Sequence, residues 1–258
     1  WETTERRTIN SLALEFNPIK DLYINTTTSI DYMFWEEDQY QKPGYDANNP
    51  TFGKAYRNSF DVANYNMNAV VSYLKKIKEN HSISVMVGTE YQNSDTRKFA
   101  GSKNEQTATG FLSPDDPNGI LSGTKTTESW NFVSQFGRVR YDFKKKIFTE
   151  VVGRRDGSSK FGKNNKYGFF PSASIGYNIS EEKFLKESKV ISFLKVKSSI
   201  GVNGNSNIPW DAQYNIFYTK PLAYNGESIL FPDASKPSNP NLKWETTITR
   251  NLGLDFTL

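Results

Sequence analysis

The stretch Gly153–Tyr177, GRRDGSSKFGKNNKYGFFPSASIGY, limits most narrowly what this chain can become. It divides into a strand end, a long basic glycine-rich loop and a second strand. In that second strand Pro171, Ala173, Ile175, Tyr177 and Ile179 fall on one face, and Ser172, Ser174, Gly176 and Asn178 on the other. The second face holds nothing that could fill a core. A half-buried sheet of a water-soluble domain sets large apolar groups on one side and charges on the other. Here the non-apolar side is small and uncharged, which suits the wall of a wet lumen. The apolar side would then meet lipid, as in a transmembrane β-barrel.

Composition agrees. A chain of 258 residues could hold one large or two average globular domains. Its hydrophobic fraction of 36% is low for a well-filled core, yet aromatics reach 14%, so it is not a disordered chain either. Few aliphatics with many rings fit strands that are half polar and girdled by aromatics at two interfaces. No apolar run approaches the ~20 residues of a transmembrane helix. A barrel strand needs only about 10 residues of alternation. Cysteine is absent, which removes a disulfide framework and thiolate metal sites. The net charge is +4, with basic clusters at Lys75–Lys78, Lys144–Lys146 and Arg154–Lys166. These read as solvated turns and loops. Nucleic acid would require one continuous basic face with interleaved aromatics, so no nucleic-acid partner is expected. The chain begins at Trp1 and is expected to be an internal piece of something longer.

Alternating segments recur, and their connections switch between short and long. Arg7–Phe16 leads to a tight turn at Asn17–Lys20, then to a strand at Asp21–Tyr32 and a long loop over roughly Met33–Phe60. Strands Asn64–Tyr73 and Ser82–Tyr91 flank the charged turn Lys75–Asn80. A second long loop covers about Gln92–Ser129. Val133–Phe143 and Ile147–Arg155 flank a turn at Lys144–Lys146, and a third long loop covers Asp156–Gly168. After Phe170–Ile179, Ser180 is placed to cap a short helix with Glu181 and Glu182 in its first turn. Phe193–Asn203, a last long loop at Gly204–Asn241 and a strand starting near Leu242 complete about nine strands. Short turns on one side and long loops on the other are the periplasmic and extracellular ends of an outer-membrane barrel. In the final strand Trp244, Thr246, Ile248, Arg250, Leu252, Leu254, Phe256 and Leu258 share a face. Arg250 is expected near the outer headgroups, with lipid beginning at Leu252.

Four segments carry a family resemblance: RRDGSSKFG, YGFFPSASIGYNISEEKF, Ile200–Asn207 (IGVNGNSN) and Asn239–Phe256 (NPNLKWETTITRNLGLDF). In order and spacing they resemble the barrel of SusC/RagA-type TonB-dependent transporters, specifically over Phe136–Leu258 and in general pattern over Arg7–Tyr141. Arg154, Arg155, Asp156, Gly157, Phe161, Gly162, Pro171, Gly204, Asn205, Trp244 and Glu245 are the motif positions, and they are structural signatures. The resemblance implies an all-β, antiparallel transmembrane barrel that closes with roughly 22 strands around a plug. Residues 1–258 would be part of that one barrel domain, with the plug and TonB box outside this chain. It implies a TonB-dependent importer of oligosaccharides or peptides in the outer membrane of a Gram-negative, Bacteroidetes-type bacterium. Its partners would be TonB, a SusD-like surface lipoprotein, lipid and lipopolysaccharide.

Candidate contacts to cargo or lipoprotein are the loop aromatics Trp35, Tyr40 and Tyr45, and Trp210, Tyr214, Phe217, Tyr218 and Tyr224. Rings stack on sugars and anchor interfaces. They could equally pack within their own loops. No catalytic site, cofactor or metal is expected. His81 is the only histidine. Asp115 and Asp116 lie in a Pro/Asn/Gly turn, with calcium as the minor reading. Gly201–Gly204 lacks the strand–helix setting of a phosphate loop. Arg154, Arg155, Lys160, Lys163 and Lys166 could meet lipopolysaccharide phosphates. Two rivals remain: another outer-membrane barrel, such as an adhesin or assembly component, and a soluble β-sandwich that binds glycans. An upstream plug would decide for the importer, and extraction without detergent for the sandwich. An enzyme is not expected, because no nucleophile–base pair is visible.

Overall fold

A computed structural model describes residues 1–41, 53–105, 120–186, 190–214, 217–224, 227–232 and 239–258. Among the described residues eleven strands run in chain order: β1 Glu2–Ile19, β2 Leu22–Gln41, β3 Gly53–Ile77, β4 His81–Glu105, β5 Ile120–Phe143, β6 Ile147–Ser158, β7 Tyr167–Asn178, β8 Phe193–Asn205, β9 Phe217–Tyr224, β10 Glu227–Pro232 and β11 Glu245–Thr257. Nine of them form one sheet in the order β1-β2-β3-β4-β5-β6-β7-β8-β11, and β9 and β10 pair as a separate ribbon. The sheet has the expected number of strands. Within the nine-stranded sheet β1 to β8 neighbour one another in sequence order, and β8 then meets β11 across the long connection that carries the ribbon. No helix among the described residues is long and apolar enough to cross a membrane.

The register settles the two faces. One row across five strands is Val139, Val151, Ala173, Ile200 and Arg250. Another is Phe143, Ile147, Tyr177, Val196 and Leu254. Between them, on the opposite face, runs Arg140, Glu150, Ser174, Ser199 and Asn251. Val151, Ile175, Ile200, Leu252, Leu254 and Phe256 are all exposed. An open apolar band of this kind is out of place in water and at home against hydrocarbon. The polar face is cross-linked by charge and hydroxyl. Arg140 donates to Glu150 at 2.7 Å, Lys197 to Asp255 at 2.8 Å and Asn251 to Ser199 at 3.3 Å. No core extends across the sheet among the described residues. Among the described residues the buried hydrophobics are Ala55, Phe161, Phe170 and Trp244.

The chain divides into two compact units. Unit 1 holds Trp1–Leu12, Thr28–Asn66 and Gln92–Trp130; unit 2 holds Ala13–Thr27, Met67–Tyr91 and Asn131–Leu258. Much of unit 1 was expected to be loop. Instead β2 runs on to Gln41, β3 starts at Gly53, β4 runs on to Glu105 and β5 starts at Ile120. Its rungs are tied by ion pairs and a ring stack. Arg57 makes a two-pronged bond to Asp38 at 2.7 and 2.8 Å, Arg7 makes one to Asp31 at 2.9 and 2.7 Å, and Trp35 stacks on Phe60 with centroids 5.2 Å apart.

Two local expectations are corrected. The first turn lies at Lys20–Asp21, with Asp21 at φ 68°, and not at Asn17–Lys20. Pro18 stays inside β1. Ser180 does not cap a helix. It sits inside a 3₁₀ turn, Ile179–Glu181, whose N-cap is Asn178, and its hydroxyl donates to Asn178 Oδ1 at 2.6 Å.

Candidate functional site

The motif residues converge at the long-loop end of β6, β7, β8 and β11, within unit 2. The loop after β6 is closed by Ser158 N donating to Lys166 O at 3.0 Å. It is tied to β5 in both directions, by Ser159 N to Asn131 O at 3.0 Å and by Asn131 N to Ser159 Oγ at 2.9 Å. The loop then grips both ends of the long β8–β11 connection. Gln213 Nε2 donates to Ser159 O at 2.6 Å, Asn165 Nδ2 to Asn241 O at 3.1 Å and Trp244 Nε1 to Lys166 O at 3.1 Å.

Apolar contact fills this clasp. The Phe161 and Trp244 rings lie 4.7 Å apart, Phe170 meets Trp244 edge-on at 5.2 Å, and Phe132, Val202, Ile208 and Leu242 pack around them. Two glycines of the motif are explained by close approach. A Cβ at Gly162 would collide with the Pro240 carbonyl oxygen, and one at Gly204 with the Phe170 ring. Asn205 donates to Glu245 Oε2 at 2.9 Å and accepts from Asn207 N at 2.9 Å, which fixes where β8 leaves the sheet and β11 rejoins it.

The neighbouring arginines are engaged internally, while Lys163 and Lys166 are exposed. Arg154 donates to Asp156 at 2.7 Å, to the buried Ser134 hydroxyl at 2.7 Å and to Glu90 at 3.3 Å, and lies over the Phe136 ring. Its guanidinium is thereby engaged within the barrel wall. Arg155 lies 4.0 Å over the Tyr167 ring. Burial lowers the Lys160 ammonium below the usual lysine value. Pro171 is on the outward face, opposite Gly153.

The aromatic candidates fall into separate places. Trp35 and Tyr40 belong to β2 in unit 1, and Tyr45 lies outside the described residues. Trp210 is half-buried beside the clasp, in a turn bonded by Ala212 N to Pro209 O at 3.3 Å. Tyr214 and Phe217 are each 54% exposed. Tyr218 and Tyr224 lie in β9, and their side chains are outside the described part. The ribbon β9–β10 was not expected, although Asn225-Gly226 between its strands is the strongest short-range hairpin signal.

Asp115 and Asp116 also lie outside the described residues. Among those described, no group of three or more His, Asp or Glu side chains could hold a metal ion. His81 Nδ1 lies 2.7 Å from the Tyr141 hydroxyl, and its ring stacks on Tyr141 and meets Phe143 at a tilt at the opposite, short-turn end.

The comparisons with known proteins agree with this geometry. The family model described as TonB dependent receptor-like, beta-barrel matches residues 2–258. TonB-dependent receptor P26 of Formosa agariphila is 28% identical over 100% of this chain and 26% of its own length. TonB-dependent receptor SusC of Bacteroides thetaiotaomicron is 31% identical over 94% of this chain and 24% of its own. The solved structure of the RagAB peptide transporter superposes with a TM-score of 0.89 at 23% identity, over 98% of this chain and 28% of that one, which speaks for the fold. The chain thus spans about a quarter of the length of the curated relatives it matches. Its residues form strands of a larger outer-membrane barrel, and the chain belongs to the TonB-dependent receptor-like β-barrel family, of the SusC/RagA type.

Proposed function

We propose that this chain is part of a TonB-dependent active importer of oligomeric nutrients, glycans or peptides, in the outer membrane of a Bacteroidetes-type bacterium. In this reading residues 1–258 belong to one transmembrane domain, and a plug and TonB box elsewhere in the protein couple it to TonB. A SusD-like surface lipoprotein covers the long-loop end. The protein moves its cargo without altering it chemically, so no enzymatic role is assigned.

The observation that carries the reading is the clasp. It anchors both ends of the β8–β11 connection to the barrel and presents Tyr214 and Phe217 outward beside Trp210. A loop that only closed a sheet would have no need of exposed rings on a fixed base. Rings offer a large contact area at low entropy cost, which suits extended sugars, peptides or a docked protein. Trp35 and Tyr40, with Tyr45, Tyr218 and Tyr224, are assigned the same role.

The test is Trp210→Ala with Tyr214→Ala in the full-length transporter. Uptake or lipoprotein association should fall while barrel abundance and heat-modifiability stay normal. If both activities persist, or the barrel itself is lost, these rings do not contact cargo or lid.

A further inference from the structure

The short-turn end of unit 2 carries a feature that import does not use. Its turns form a contiguous strip, because Leu74 N donates to Asp21 O at 2.9 Å, Lys144 N to Asn80 O at 2.7 Å and Asn178 N to Lys146 O at 2.7 Å. Along that strip stand Lys20, Lys75, Lys76, Lys78, Lys144, Lys145, Lys146, Lys183 and Lys186. Three are ion-paired: Lys75 with Asp21, Lys146 with Glu182 and Lys186 with Glu181. Lys20, Lys76, Lys78, Lys145 and Lys183 are exposed and form no ion pair among the described residues.

Three of these lysines stand where the backbone disfavours them. Lys78, Lys144 and Lys145 have φ of 55°, 54° and 58°. Lys146 N donates to Phe143 O at 2.9 Å, so Lys144-Lys145 is the centre of a two-residue hairpin turn with positive φ at both positions. Asn-Gly fills such turns with least strain, and lysine brings a Cβ penalty at each position. Asp21, at φ 68° on the same strip, shares the geometry but is a residue that tolerates it. Three lysines on two neighbouring turns instead hold positions that Asn or Gly would fill with less strain, which points to a use for their charge.

The apolar surroundings identify the chemistry. The outward row nearest the turns holds Phe143, Tyr177, Val196 and Leu254, with Tyr141 and Tyr73 close behind. Lys144 Nζ lies 5.3 Å over the Phe143 ring. Phe184 is 76% exposed beside Lys183. An aromatic belt capped by ammonium groups is the pattern of a membrane–water interface, with rings at the headgroup level and lysines reaching past them. Lysines close to a membrane surface favour anionic lipid.

We infer that this lysine rim is a binding surface for anionic phospholipid headgroups of the periplasmic leaflet. The inference rests on the outer-membrane reading above, because only that orientation brings the short turns to a phospholipid surface. An acidic protein segment could satisfy the charge, but it would leave the adjoining rings and Phe184 without purpose.

The experiment places the full-length transporter in phosphatidylethanolamine vesicles, with and without phosphatidylglycerol, and measures its unfolding temperature. Phosphatidylglycerol should raise that temperature, and added salt should shrink the increment. The triple variant Lys78→Asn, Lys144→Asn and Lys145→Gly should lose most of the increment. In neutral vesicles it should be at least as stable as the parent, because backbone strain is relieved. Arginine at the same three positions should keep the increment. No phosphatidylglycerol effect in the parent, or a full effect in the triple variant, overturns the inference and leaves the importer reading intact. A lysine-dependent rise with soluble polyglutamate but none with phosphatidylglycerol overturns it in favour of an acidic protein. Failure to insert into vesicles at all would overturn the outer-membrane reading, and the lipid surface with it.

Discussion

The two ends of β6, β7 and β8 solve the same problem differently. At one end β5 reverses into β6 through the tight Lys144–Lys146 turn, and the β7–β8 connection opens with a 3₁₀ turn, Ile179–Glu181. At the other the chain builds a small core of Phe161, Phe170 and Trp244 and knots two loops through it. The difference follows from what each end must hold. A tight turn needs only its own hydrogen bond, such as Lys146 N to Phe143 O at 2.9 Å. The β8–β11 connection is long and carries a ribbon, so its ends would wander without a fixed base. The clasp supplies that base from residues distant in sequence. Asn165 and Asn241 are 76 positions apart, and Lys166 and Trp244 are 78 apart.

Removing the base should therefore have the largest effect. Trp244→Ala empties the centre of the cluster and deletes the bond to Lys166 O. A truncation of this kind costs about 3–5 kcal/mol. Limited proteolysis should show cleavage in the β8–β11 connection before any loss of the barrel band. If the loop and the barrel fail together, the clasp is part of the barrel's folding core and not a separate anchor.

Along the strands between the two ends, the faces should differ. Val151 is 58% exposed in the apolar row, and Ser174 lies in the polar row beside Glu150. Val151→Arg should cost about 2–4 kcal/mol in a lipid unfolding assay if it sits near mid-bilayer. Ser174→Arg should cost far less, since it faces water and a carboxylate. Equal losses would mean that the apolar band does not face lipid.

Legibility followed the solvent. Where one face meets lipid and the other water, alternation is strong, and β6, β7 and β8 were located to within three residues at each end. Where strands run on with both faces polar, alternation vanishes. The Met33–Gln41 part of β2 reads Met-Phe-Trp-Glu-Glu-Asp-Gln-Tyr-Gln, which carries no period of two. What holds it is the Arg57–Asp38 pair across strands and the Trp35–Phe60 stack, and neither can be read from one strand alone. The motif residues of the clasp were legible as a motif. Their convergence was not, because nothing local to Gly162 says that the Pro240 carbonyl will lie against it. The ribbon has its signal at Asn225-Gly226, but the surrounding stretch is rich in Asn and Pro and reads as loop.

The smallest expected effect tests how firmly the short-turn end is tied. Glu182 accepts from the Tyr177 hydroxyl at 2.8 Å and pairs with Lys146 at 3.1 Å, linking the β7–β8 connection to the Lys144–Lys146 turn. The Tyr177 hydrogen bond first, and Lys146 with it, hold the Glu182 carboxyl below its ordinary value. A carboxylate depressed in the folded state contributes stability that is present above its unfolded pKa. That contribution is lost as the pH falls through the folded value. Acid should therefore loosen this connection while the clasp, which contains no titrating carboxylate in its loop-to-loop bonds, stays closed. Hydrogen exchange, corrected for the intrinsic rate, reads this directly. The amides of Leu185 and Lys186, which donate to the Glu182 carbonyl at 3.0 and 2.9 Å, should lose protection below the ordinary carboxylate range. The amides of Ser158 and Ser159 should not. Glu182→Gln should remove the pH dependence and leave the two amides at their acid-state protection throughout. If Leu185 and Lys186 keep full protection in acid, the pair only decorates a connection that its backbone already holds.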